Sequence, residues 1–146
     1  MKTIILIPCC KNKRQTPCRA EEMYIGQLFK ARLKYAKQLN PDEIFILSAK
    51  YGLLTCDEII EPYNVTLKDF SKEKKIEWSM NVLDKLKSFC STTDDKFIIL
   101  ASNFYIEHIL PFIKNYELPL SFCADNYIGK KMAWLKEHTQ ETYLLF

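Results

Sequence analysis

Three short apolar runs constrain this chain more than any other feature: "TIILIP" from Thr3, "EIFILSA" from Glu43 and "KFIILAS" from Lys96. Each is continuous rather than alternating, the pattern of strands covered on both faces, as in parallel sheets. Helix-like segments lie between them. Tyr24, Leu28, Ala31, Tyr35 and Leu39 step by three and four, and Asn40-Pro41 supplies a stop. Thr66 with Asp69 matches a capping box, and Ser71 caps a longer helix carrying Ile76, Met80, Leu83 and Leu86 along one side. Tyr105, Ile109 and Phe112 repeat the pattern after the third run. "LPLSF" from Leu118 reads as a fourth strand, and Ile128, Met132 and Leu135 mark a last helix. The "TYLLF" ending fits either an edge strand or a segment packed on the core.

Alternation of this kind predicts an α/β fold. The expectation is a single three-layer domain over residues 1–146, a mostly parallel sheet with helices on both faces, Rossmann-like in plan. A chain of this length buries roughly two thirds of its unfolded surface around one core. At 48% hydrophobic and 27% charged residues, with three glycines, nothing in the composition suggests a disordered arm.

The first apolar run is too short for a signal-peptide core, and no later run approaches a membrane span. A cytoplasmic location is therefore expected, with no membrane partner. Six cysteines (Cys9, Cys10, Cys18, Cys56, Cys90 and Cys123) are then expected as free thiols. The net charge of +3 is too small to argue for nucleic-acid binding by itself. Its distribution says more, because Lys2, Lys11, Lys13, Arg14 and Arg19 precede the first acid, Glu21. The "SKEKK" cluster from Ser71 and "GKK" from Gly129 read as solvated helix faces.

In open parallel sheets, ligands bind outside the carboxyl ends of the strands, where helix N-termini also point. Here the three apolar runs exit into Pro8-Cys9-Cys10-Lys11-Asn12-Lys13, Ser48-Ala49-Lys50-Tyr51-Gly52 and Ala101-Ser102-Asn103. The expected pocket is lined with hydroxyls and lysines, suited to an anion or an electron-rich heterocycle. Cys9, near ammonium groups and a helix start, is a candidate nucleophile; the rival reading is a small, inert strand-end thiol. Lys11, Lys13 and Lys50 read as anion ligands or as exposed loop lysines. Ser48, Tyr51, Tyr63 and Ser102 are candidate contacts to substrate, although Ser48 also suits a local backbone bond. Gly52 is expected at a positive φ, fixing where Lys50 and Tyr51 point. Glu61 precedes Pro62, which holds it extended; it serves as general base or as a counter-ion. Cys9, Cys10 and Cys18 lack paired zinc spacing, and the two imidazoles, His108 and His138, fall in helix-like contexts, so no metal or other cofactor is expected.

"SAKYGLL", then "DEIIEPY" and later "GKKMAWLK", resemble a bacterial and phage family of small proteins described as a domain of unknown function. In that family a first strand ends in a cysteine-lysine motif, Y-x-G-x-L-F opens the first helix, and A-K-Y-G-L-L and E-P-Y follow the second strand. The matching positions are Cys9 or Cys10 with Lys11 and Lys13; Tyr24, Gly26, Leu28 and Phe29; Ser48 through Leu54; and Glu61, Pro62 and Tyr63. The Y-G-L-L and P-Y core is also similar to the YaaA-type peroxide-stress family, which is linked to protecting DNA, though this chain is shorter and shows no clear helix-hairpin-helix motif. Pro8-Cys9 before a lysine resembles, faintly, the core domain of archaeosine synthase, in which a lysine adds to a nitrile on a deazaguanine base.

The leading expectation is an enzyme acting on a nucleotide, a modified nucleobase or a nucleic-acid base. In it Cys9, Lys50 and Glu61 are catalytic, while Lys11, Lys13, Ser48, Tyr51, Gly52, Tyr63 and Ser102 bind substrate. The alternative is a non-catalytic DNA- or RNA-binding stress-protection protein, and a third is a redox sensor built on Cys9 and Cys10. The expected ligand is an anionic or nucleobase-containing small molecule, with nucleic acid a second partner class. Oligomeric state is not set by the sequence.

Overall fold

The computed structural model describes residues 1–121 and 128–139; Cys123 and the "TYLLF" ending lie outside them. The three apolar runs become β1 (Thr3–Pro8), β3 (Glu43–Ser48) and β6 (Lys96–Ile99), as their patterning requires. β1 is central, parallel to β3 on one side and to β6 on the other, with Leu6 opposite both Phe45 and Ile99. Ile4, Ile5, Leu6 and Ile7 are all fully buried, so both faces of this strand are covered.

Two further strands extend the sheet to the order β4-β3-β1-β6-β7. β4 (Gly52–Thr55) folds back antiparallel on β3, and β7 (Tyr116–Glu117) adds parallel to β6. A separate two-residue pair, β2 (Cys18–Arg19) with β5 (Ile59–Ile60), ties the loop after β1 to the loop after β4. Helix α1 (Ala20–Met23) follows β2, and α2 (Gln27–Gln38) connects β1 to β3. Helix α3 (Lys72–Lys87) connects the β3–β4 hairpin to β6. The chain moves outward from β1 to β3 and then back across β1 to β6; right-handed crossovers therefore place α2 and α3 on opposite faces. A short α4 (Asn103–Ile106) leaves β6, and α5 (Ile128–His138) packs beside α2. The result is the three-layer, mostly parallel α/β arrangement that the alternation predicts. No helix among the described residues is long and apolar enough to cross a membrane.

Several local expectations are corrected. The first long helix starts at Gln27 rather than Tyr24, because Tyr24 is extended and bridges to Lys13. Its buried residues are Phe29, Arg32 and Ala36, while Leu28, Ala31 and Tyr35 are half-buried. The reason is that α2 serves two neighbours: Tyr35 packs edge-on against Trp134 of α5 at 5.1 Å. On α3, Ile76 and Met80 are 38% and 40% exposed, and the buried face runs instead through Trp78, Val82, Leu83 and Leu86. Lys75 and Lys131 are buried rather than solvated. Lys75 Nζ meets Glu107 at 2.7 Å and lies 3.7 Å from the Phe104 ring centroid, which compensates its burial. The run through Tyr105, Ile109 and Phe112 breaks into α4 and a 3₁₀ turn over Leu110–Phe112, since Pro111 cannot continue an α-helix. The fourth parallel strand lies at Tyr116–Glu117, ahead of the predicted Leu118, because Pro119 has no N–H for the ladder.

The cap at Ser71 and the turn start at Thr66 are present as predicted. Thr66 Oγ1 accepts from Lys68 N–H at a 3₁₀ turn (Leu67–Asp69), and Ser71 Oγ accepts from Lys74 N–H at the start of α3. The outer rim of β4 is held by side chains of this same chain. Lys85 Nζ donates to Leu53 O at 2.6 Å, and Thr55 N–H donates to Glu58 Oε2 at 2.6 Å.

Asp95 ties the start of β1 to the loop that enters β6: its carboxylate accepts from Lys2 N–H and Ser91 N–H, both at 2.8 Å. These backbone donors, Ser91 first, hold the carboxyl below its ordinary range. A depressed folded-state pKa contributes stability above the unfolded value, about 4, that is lost as pH falls through the folded value. Asp95→Asn is expected to melt below the native protein at neutral pH, with the gap narrowing as pH drops below about 4. Melting temperatures of both proteins across that window check it; a gap independent of pH would contradict the assignment.

Candidate functional site

The sequence order of the parallel strands reverses across β1, so the crevice between β1 and β6 at their carboxyl ends is where a ligand of this fold class sits. Cys9 is fixed there because its N–H donates to Leu47 O at 2.9 Å, extending the β1–β3 pairing one residue beyond Pro8. It is 8% exposed. Its Sγ lies 3.8 Å from Tyr105 Oη, delivered from the far side of the crevice by α4. Cys9, Cys10, Lys11, Lys13, Lys68 and Tyr105 line one cleft of about 400 Å³, with the Asn64–Leu67 segment closing its other wall.

The loop after Cys9 is shaped by its own backbone. Ile25 N–H donates to Asn12 O at 3.0 Å and Arg14 N–H to Met23 O at 2.9 Å, folding the segment against the start of α2. Lys13 Nζ donates to Lys11 O at 3.2 Å and lies 4.4 Å from the centroid of the Tyr63 ring and 5.9 Å from that of Tyr24. The two rings act as a platform that holds this ammonium at the mouth of the cleft. Cys10 Sγ turns back to Asn12 O at 3.3 Å, and a Cβ added at Gly26 would meet that sulfur at 3.0 Å, so glycine there makes room for it. Burial pushes the Cys10 thiol above its ordinary range.

Beneath the cleft runs a connected set of hydroxyls. Ser48 Oγ accepts from Tyr51 N–H at 3.0 Å and shares a hydrogen bond with Tyr63 Oη at 2.8 Å. Tyr63 Oη in turn meets Tyr24 Oη at 2.7 Å. Burial holds all three phenols in and beneath the cleft, Tyr24, Tyr63 and Tyr105, well above the ordinary tyrosine range, so they stay neutral and available as donors.

The predicted site residues thus separate into groups. Cys9, Lys11 and Lys13 share the cleft. Ser48 is fully buried and bonds Tyr63 and its own turn, so both reach the cleft through Lys13 and the loop rather than by lining it. Gly52 has φ +76°, as expected, and turns the chain into β4. Lys50 lies on the other side of Ala49, in a neighbouring depression with Phe70, Lys74 and Trp78, where Lys50 Nζ sits 5.3 Å from the Tyr51 ring centroid. Lys50 and Lys11 therefore do not share the hollow that the strand exits suggest. Tyr51 Oη holds Glu61 by its backbone, donating to Glu61 O at 3.4 Å and accepting from Glu61 N–H at 3.3 Å. The Glu61 side chain is exposed and lines none of these hollows. Ser102 lines a separate cavity of about 160 Å³ with Asn103, Ser121 and Lys131 beyond β6.

Tyr105 and Lys68 escape sequence reasoning. Tyr105 reads as one apolar position in a helical stripe, and Lys68 is not singled out. The available signal for Tyr105 is its place on the first helical turn after a strand exit, where side chains reach back over the sheet edge.

The sequence pattern of a family described as "Family of unknown function (DUF6884)" matches residues 4–137. The chain is also similar to "Uncharacterized protein YfjM" of Bacillus subtilis (strain 168), 40% identical over 73 residues. That stretch covers 45% of this chain and 48% of the relative, so the chain spans about half the length of the curated protein it matches. No solved structure matches it. With the family match running from the first residues of β1 to the end of α5, through every segment that builds the cleft, the chain belongs to the DUF6884 family of unknown function.

Proposed function

We propose that the protein is an enzyme acting on a nucleotide, a modified nucleobase or a nucleic-acid base, bound in the cleft at the carboxyl ends of β1, β3 and β6. The observation that carries this reading is the meeting of two thiols, three ammonium groups and a phenol, from three separate segments, in one cleft of about 400 Å³. The volume is of the order expected for a small-molecule site. Cys9 is the nucleophile, and Lys11 and Lys13 oppose negative charge on the substrate. The Tyr105 hydroxyl, 3.8 Å from Cys9 Sγ, takes the proton-handling part that the sequence alone gives to Glu61. The Tyr105 ring offers a base its flat face. The five described cysteines are free thiols, which accords with a reducing, cytoplasmic setting.

Titration calorimetry with a panel of nucleotides, nucleosides and free bases, deazaguanines included, tests this reading. Binding by at least one member is expected, weakened about tenfold by Lys13→Ala, which removes one charge-assisted contact. Heat from none of the panel removes the reading. A second reading has its own observation: the depressions on either side of Ala49 carry Lys11, Lys13 and Lys68 on one side and Lys50 and Lys74 on the other, a basic strip wider than one small ligand. A non-catalytic DNA- or RNA-binding role would use that strip, and affinity for oligonucleotides would then fall steeply with salt.

A further inference from the structure

Arg32, on the inner face of α2, is the one buried cation among the described residues whose charge the structure leaves open. It is 8% exposed, as buried as Lys75. Lys75 has Glu107 at 2.7 Å; Arg32 has no carboxylate, and its Nε finds no hydrogen-bond partner. Only Nε is sealed from water without a partner, and a guanidinium withdrawn that far without a counter-charge is costly to hold. Desolvation lowers its pKa to about 10, so it stays charged at neutral pH, and Tyr105 and Cys10, both neutral there, lie near enough to act on it only if ionised. Both line the cleft, and Arg32 lies behind them rather than in its lining.

The direction of the side chain agrees. Helical side chains lean toward the N-terminus of their helix, and the N-terminus of α2 lies at the carboxyl end of β1. That end of α2 carries no side-chain cap: Gly26 stands at the N-cap, with Cys10 Sγ where a side chain would begin. The first N–H groups of a twelve-residue helix thus face the same place as the unpaired guanidinium.

We propose that Arg32 is the anion anchor of the cleft, receiving a phosphoryl group of the bound ligand behind Cys10 and Tyr105 at the open N-terminus of α2. This deepens the reading above and rests on it in one respect: it makes the ligand a phosphorylated one, a nucleotide rather than a free base. The forked guanidinium suits two phosphoryl oxygens at once, which an ammonium cannot match. The exposed lysines at the mouth then steer the ligand, and the buried arginine fixes its register.

The test uses the intact protein with inorganic phosphate, nucleoside monophosphates and the corresponding nucleosides, read by thermal shift and calorimetry. Phosphate is expected to raise the melting temperature, and monophosphates to bind at least about tenfold more tightly than nucleosides. Arg32→Met removes the unpaired charge while keeping the volume. It is expected to melt higher than the native protein without ligand and to lose the response to phosphate. Arg32→Lys keeps the charge without the fork, and its affinity for phosphate is expected to fall about tenfold; should the methionine variant fold poorly, this variant decides alone. Phosphate affinity within about twofold of native in both variants, or no phosphate response in the native protein, overturns the proposal. Nucleosides binding as tightly as monophosphates overturns it too, while leaving the cleft as a nucleobase site. Phosphate bound through Arg32 with no nucleotide, nucleoside or base bound better supports the anchor and removes the nucleobase reading.

Discussion

Trp78→Ala is expected to cost about 3–5 kcal/mol of folding stability, the range for truncating a buried tryptophan. Trp78 is nearly buried on α3, and its Nε1–H donates to Ser48 O at 2.9 Å. Its ring also meets Tyr105 edge-on, with centroids 6.4 Å apart. Truncation removes the indole, leaves the Ser48 carbonyl without its donor and takes away a wall behind Tyr105. Denaturant unfolding measures the loss. A change under about 1 kcal/mol would mean that α3 is not held to the carboxyl end of β3 in this way. Because Tyr105 faces Cys9, the same variant is expected to weaken ligand binding even under conditions where it remains folded.

The second large effect is expected at Tyr63. Tyr63→Phe keeps the ring under Lys13 but deletes the hydroxyl between Ser48 Oγ and Tyr24 Oη. Leaving those two buried groups short of a partner costs about 1–3 kcal/mol. Tyr24→Phe breaks one end of the same chain of hydroxyls, so the double variant is expected to cost less than the sum of the two singles. Strict additivity in a double-mutant cycle would show that the three hydroxyls do not act as a connected set. The ring–ammonium contact survives in Tyr63→Phe, so binding in the cleft is expected to change less than stability does.

How far the sequence reveals this molecule depends on the range of the forces involved. The strands β1, β3 and β6 are legible because being covered on both faces leaves an unbroken apolar run, a signal carried by adjacent residues. Ser71 and Thr66 are legible as caps for the same reason. The path of α2 is less so. Its contacts are divided between the sheet and α5, and Arg32, on the sheet side among Phe29 and Ala36, disguises the buried stripe. At the site, Cys9, Lys11 and Lys13 come from one strand exit, and a rule about strand ends is enough to place them together. Lys50 follows a different exit and lies in the depression on the other side of Ala49. Tyr24, Ser48 and Tyr63 are joined by hydroxyls across 39 residues of chain, a relation that no spacing announces.

The arrangement along β4 has a consequence for how copies of the chain behave in a crowded solution. A bare edge strand invites a neighbour to dock and lengthen the sheet. Here Lys85 occupies the Leu53 oxygen and Glu58 takes the Thr55 amide, two rungs of one ladder two residues apart. An incoming strand would have to displace a cation and an anion at once. The margin closest to the Lys50 hairpin is thereby closed to intermolecular β-stacking, which favours solubility without any loss of the apolar surface that the sheet needs inside.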